Sequence, residues 1–249
     1  MAKKRLLKLI FWAMSAPQLA MSRWMEGLSS GTFRSDLGRC LDYVDRHQNS
    51  VPPVLIDALV AAEDHRSEYH RGVDPIGMFR ALWVRIFSGH VQGASTIEQQ
   101  FVRVVTGRYE RTLLRKLREQ LLAIALARHR GKRAIASAYL AIAFYGSGCS
   151  GLAGLKARFG PHLDEIGERQ ALRFVSQLKY PRPWRPGVPW HERINARTEA
   201  LWERRGRAAN PSLERTRSSI TPPPFPGSLP APWRHNAARR PTQVLARDV

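Results

Sequence analysis

A chain of 249 residues, 43% of them hydrophobic, can bury a core, so a wholly disordered protein is excluded. Its 40 Lys and Arg against 20 Asp and Glu leave a net charge of +20, which implies an anionic partner: nucleic acid, anionic lipid headgroups or a phosphorylated substrate. Two cysteines, Cys40 and Cys149, are too few for a disulfide framework, and no short Cys/His spacing suits a zinc site.

The amino terminus, MAKKRLLKLIFWAMSAPQLAMSRW, sets basic residues ahead of an apolar stretch from Leu9 to Met21 that Ser15, Pro17 and Gln18 interrupt. As a helix that stretch rises about 20 Å, against a hydrocarbon core of about 30 Å. Three readings stay open for residues 1–24: an interfacial amphipathic anchor, a short signal-anchor, or an export signal ending near PQLA.

Pro52–Pro53 open a helix that runs to about Glu63. At about 100° per residue from Leu55, Glu63 falls at about 80°, between Leu59 at about 40° and Ile56 at about 100°. Asp57 and Asp64 fall near the opposite side, where water reaches them. Glu63 is therefore a carboxylate on its own helix's oily side, which strengthens it as a base. A buried Glu paired with a nearby cation, such as Arg66, is the plainer alternative.

Further along, HRGVDPIG (His70 to Gly77) is loop-like, with Asp74–Pro75 starting an amphipathic helix through IGMFRALWVRIF. Ser88 to Ser95 is a Gly-punctuated loop, and Thr96 to Val105 is a helix capped by Ser95 or Thr96. Arg111 to Arg130 and Lys132 to Tyr145 are helices, Gly146 to Gly154 is a tightly turned segment, and Glu165 to Leu178 is again helical. Tyr180 to Pro189 is Pro-rich and extended. The chain reads as a domain over 25–204, followed by a Pro- and Arg-rich tail over 205–249 that lacks periodicity and is expected to be disordered. β-branched alternation is scarce, so the fold class is mainly α.

On the Arg111–Arg130 helix, Leu113, Leu117, Leu121, Leu114 and Ile124 form one stripe. Glu119 lies on the other face, flanked by Arg115 and Lys116. That face is either a solvated one with an ordinary i,i+4 pair or an electropositive wall with one acid set into it. From Phe101 to Arg133 ten Lys and Arg face only Glu110 and Glu119. Arg103 and Arg111 lie just upstream, within reach of the same wall. Cations converging in this way can hold a pyrophosphate and neutralise it as a leaving group.

Four stretches together resemble the peptidoglycan glycosyltransferases of family 51, which include the glycosyltransferase modules of class A penicillin-binding proteins. EDHRSEYHRGVD (Glu63 to Asp74) is similar to the family's E-D-x-x-F-x-x-H-x-G-x-D, and GASTIEQQ (Gly93 to Gln100) to G-[GA]-S-T-I-T-Q-Q. RKLRE (Arg115 to Glu119) matches R-K-x-x-E, and KRAIASAYLA (Lys132 to Ala141) resembles K-x-x-I-L-x-x-Y-L-N. The resemblance covers roughly residues 51–186. It implies a lysozyme-like glycosyltransferase domain with a small membrane-adjacent lobe.

The same resemblance implies roles. Glu63 matches the general base that takes the proton from the 4-hydroxyl of GlcNAc on the lipid II acceptor. That hydroxyl attacks C1 of a growing glycan held on undecaprenyl pyrophosphate, with inversion. Glu119 matches the second acid, on the pyrophosphate side. Arg103, Arg111, Arg115 and Lys116 match phosphate-binding cations, and Ser95, Thr96, Gln99 and Gln100 match positions shaping the sugar cleft. Asp64 and His70 are expected to orient or support the site. No cofactor is required, with room for a divalent cation (Mg or Mn) at the pyrophosphate. The implied partners are lipid II, the growing glycan, the cytoplasmic membrane and cell-wall synthesis proteins, with the domain on the periplasmic side.

Departures stand beside the matches. The motif aromatic is Ser67, with Tyr69 two positions on. The second motif's Thr is Glu98, which sets a negative charge near a site for a dianion. The fourth motif ends on Ala141, and GLAGLKARFG (Gly151 to Gly160) is a compressed segment. The chain ends at Val249, so no transpeptidase domain is expected to follow. A catalytically weak scaffold that binds lipid II and a lysozyme-like hydrolase stay open as alternatives. Nucleic acid is not expected as a partner, because no RNP-like, zinc-finger or helix-turn-helix signature accompanies the arginines.

Overall fold

The computed structural model describes residues 2–28, 31–89 and 93–209. Residues 90–92 of the Gly-punctuated loop, and the tail from residue 210 on, lie outside the described residues. Within them the chain is mainly α. Helix α1 spans Ala2–Leu28, α2 Gly31–His47, α3 Pro53–Glu63, α4 Pro75–Ser88 and α5 Ile97–Thr106. Then come α6 over Leu113–His129, α7 over Lys132–Leu140, α8 over Gly151–Phe159, α9 over Glu168–Val175 and α10 over Val188–Ala209.

Local chemistry sets these ends. Asp74 caps α4 by accepting the Gly77 N–H at 2.8 Å, and Thr96 caps α5 by accepting the Gln99 N–H at 3.3 Å. Thr112 caps α6 through the Arg115 N–H, while Gly89 and Gly107 close α4 and α5 in left-handed backbone. The expected helix over Lys132–Tyr145 is shorter than its periodicity suggested. It stops at Leu140, and the chain turns into a small antiparallel hairpin, β1 (Phe144–Gly146) and β2 (Cys149–Ser150). Tyr145 is fully buried there and its hydroxyl donates to the Leu140 carbonyl, answering one of the groups left open at the helix end.

Helix α6 is the centre of the core. Every residue from Glu119 to Leu126 is buried, because α1, α2 and α5 all pack on it. A helix covered on several sides has no single oily stripe, and this corrects the wheel reading of α6. Leu113 and Leu114, on the presumed core stripe, are 91% and 77% exposed, while Glu119, placed on the outer face, is buried. Helix α1 packs against α4 and α6 through Phe11, Ser15 and Ser22, and the Phe11 ring stacks on Tyr69 at 6.0 Å. No helix of the described residues is long and apolar enough to cross a membrane.

Candidate active site

Glu63 is the last residue of α3, and its side chain is 17% exposed. Its Oε1 accepts from Arg197 Nη2 at 2.7 Å and its Oε2 from Gln100 Nε2 at 3.2 Å. The Tyr139 hydroxyl donates to Gln100 Oε1 at 2.8 Å, which turns the amide nitrogen toward Glu63. Arg66 is not the partner of Glu63. Its guanidinium clamps Asp74 Oδ2 at 2.6 and 2.9 Å and so braces the α4 cap.

Asp64 departs from its expected place. The wheel set it toward water, yet it is buried, because α3 ends at Glu63 and Asp64 turns away with φ −149° and ψ 57°. Its Oδ1 accepts from His70 Nε2 at 2.9 Å and its Oδ2 from the Ile97 N–H at 3.4 Å. On the other side of the ring Lys132 Nζ lies 3.3 Å from His70 Nδ1 and donates to Glu98 Oε1 at 2.6 Å. Glu98 is thus drawn into a buried ion pair. Burial pushes its carboxyl upward, but Lys132, His70 and its hydrogen bonds outweigh this and hold it below the usual range. Asp64, His70 and Glu98 bring possible ligand atoms within 4.8 Å of one another, but the Lys132 ammonium takes the cation's part in that group.

The second acid sits in a denser cage. Glu119 Oε2 accepts from Arg103 Nε at 2.8 Å and from Arg115 Nη1, and Oε1 accepts from Arg103 Nη2 at 3.0 Å and Lys116 Nζ at 2.5 Å. Lys116 also reaches Gln99 Oε1 at 2.6 Å and Ser95 Oγ at 3.0 Å. Burial alone pushes the Glu119 carboxyl up, and the Arg103 and Lys116 contacts more than reverse it. Lys116 is held below the usual ammonium range, first by burial and then by Arg103 and Arg115. Three cations share one carboxylate, so the cage carries an unmatched positive charge that an added anion would satisfy. Both Glu119 oxygens are already filled by charged donors, so this donor set does not fit a divalent cation as it stands.

Helix α5 joins the two acids. Gln100 contacts Glu63, Gln99 contacts Lys116, and Arg103, one turn on, contacts Glu119. Of the residues expected from sequence, Glu63, Gln100, Gln99, Ser95, Arg103, Arg115, Lys116 and Glu119 are therefore brought together along α5, with Gln99 and Glu119 buried. Thr96 and the Asp64–His70 pair are buried too, with Thr96 Oγ1 donating to the Gly72 carbonyl at 2.7 Å. Arg111 is exposed and joins none of these contacts among the described residues. Sequence reasoning missed Tyr139, although it stands in the fourth motif. It also missed Arg197, for which no local signal existed, because α10 follows a Pro-rich stretch and lies 134 residues from Glu63.

A family model described as Transglycosylase matches residues 39–205. Penicillin-binding protein 1A of Escherichia coli (strain K12) is 38% identical over 140 residues, 55% of this chain and 16% of that protein. Penicillin-binding protein 1A of Haemophilus influenzae is 42% identical over 118 residues, 47% of this chain and 14% of that protein. Penicillin-binding protein 1B of Vibrio cholerae is 34% identical over 160 residues, 62% of this chain and 20% of that protein. The chain thus spans a fifth or less of the length of these relatives.

Proposed function

We propose a function from one premise: the chain belongs to the transglycosylase family. The reading is a peptidoglycan glycosyltransferase that polymerises lipid II into β-1,4-linked glycan. The acceptor's 4-hydroxyl attacks C1 of the donor sugar, its proton passes to the Glu63 carboxylate, and the C1–O bond to undecaprenyl pyrophosphate breaks with inversion. Arg103, Arg115 and Lys116 take the negative charge that builds on the departing diphosphate.

One observation carries this division of labour. The two acids are solvated by protein in opposite ways. Glu119 has both oxygens filled by three cations, which suits an anion-binding wall and not proton transfer. Glu63 has one cation and one neutral amide and a side chain 17% exposed, which leaves lone pairs open to an incoming hydroxyl. Nothing in this scheme needs a metal at Glu119.

Lipid substrates imply a bilayer beside the cleft, and two helices support that placement. On α4, Phe79, Leu82, Trp83, Ile86 and Phe87 are all more than half exposed. On α1, Leu6, Leu9, Trp12 and Trp24 are exposed, while Phe11 is buried. The reading sets these helices in the outer leaflet of the bacterial inner membrane, with the domain on the periplasmic side. Purified protein incubated with labelled lipid II tests it on a gel: glycan ladders are expected from the native chain and none from Glu63→Gln. Ladders of equal strength from Glu63→Gln would refute the assignment.

A further inference from the structure

We propose that Arg197 is a positioning residue that fixes the orientation of the Glu63 carboxylate, an inference that rests on the reading of Glu63 as the base. The problem it solves is set by α3. The last carbonyls of a helix lack intrahelical partners and carry the negative end of its dipole. A carboxylate on the final residue is repelled there and would swing toward water. Arg197 Nη2 answers both charges at once, donating to the Ala62 carbonyl at 3.1 Å and to Glu63 Oε1 at 2.7 Å.

Two donors on different elements then fix the carboxylate plane, Arg197 from α10 and Gln100 from α5. The contact from Arg197 is through one nitrogen, and its Nε is buried without a partner. A fork of two parallel bonds would neutralise the carboxylate more fully, as Arg103 does at Glu119. A single bond orients the group and leaves it able to accept a proton. Helix α10 holds the arginine in place through buried Ile194, Thr198 and Leu201, with the Thr198 hydroxyl bonded to the Ile194 carbonyl at 2.7 Å. The Arg197 side chain is itself 16% exposed, so the pair with Glu63 is largely shielded from solvent.

The test is steady-state polymerisation of labelled lipid II by the full chain, comparing native protein, Glu63→Gln, Arg197→Met, Arg197→Lys and Arg197→Ala, with thermal melts alongside. Arg197→Met is expected to lower kcat by about tenfold to a hundredfold with KM for lipid II nearly unchanged. Arg197→Lys recovers part of the rate. Guanidinium ion added to Arg197→Ala raises its rate but does nothing for Glu63→Gln. An arginine that only held the fold together would lower the melting temperature without rescue by the free ion, and that result overturns the proposal. So does native kcat in Arg197→Met, or a raised KM at unchanged kcat. Activity lost in Glu63→Gln but intact in Arg197→Met removes this inference alone, whereas a native chain that makes no glycan removes the functional reading with it.

Discussion

At Gly72 the backbone has φ +92°, and a Cβ there would sit 2.5 Å from the Ala123 carbonyl oxygen of the central helix. The glycine is needed both for its conformation and for this close approach, which seats the first-motif loop on α6. Gly72→Ala is therefore expected to destabilise the domain by roughly 2–4 kcal/mol in urea unfolding. Glu98 and Glu119 act through charge. Both carboxyls are held below the usual range, so each contributes stability that is complete above the unfolded value of about pH 4. That contribution is lost as pH falls through the lower folded value. Melting temperature should drop on acidification below that point, and Glu119→Gln should flatten the drop while costing roughly 1–3 kcal/mol at neutral pH. An unchanged acid limb in the variant would show that the cage is not what titrates. Glu98 also shows how packing answers a motif departure: read from the sequence it set a negative charge near the anion site, yet its charge is paired with Lys132.

Among the elements, α6 and α1 teach opposite lessons. The apolar period of α6 is real, but its first turn emerges from the core and its later turns are covered all round. Leu113→Ser should change stability by less than about 0.5 kcal/mol, whereas Leu122→Ala, at 1% exposure, should cost about 2–5 kcal/mol. Equal costs for the two would restore the simple stripe. Helix α1 was legible only as an apolar stretch of uncertain purpose. Packing gives it a structural part, since Phe11 is 1% exposed and the Ser22 hydroxyl donates to the Leu121 carbonyl at 3.0 Å. Phe11→Ala is expected to cost about 3 kcal/mol by denaturant unfolding, and a neutral result would mean that α1 detaches from the domain.

For the whole molecule, the net charge of +20 and the exposed aromatic faces of α1 and α4 act together. Arg80 and Arg85 are exposed on the same helix as the α4 stripe, and Arg5 and Lys8 are exposed on α1. Binding to vesicles containing phosphatidylglycerol should exceed binding to neutral vesicles and weaken as salt is raised. Trp83→Ser should reduce it at every salt concentration, because that part of the attraction is apolar. Retention on neutral vesicles equal to that on anionic ones would remove the electrostatic half of this picture.

The order of motifs, a helix start at Asp74, a cap at Ser95 or Thr96, the mainly α class and the positions of the two motif acids were all written in the amino-acid sequence. Each depends on neighbours within a few residues or on a short pattern of residue types. Which face of α6 is buried, where Asp64 points, what Glu98 pairs with and which arginine meets Glu63 were decided by tertiary structure alone. These are contacts between segments far apart in the chain, and a helical wheel carries no record of what packs against it.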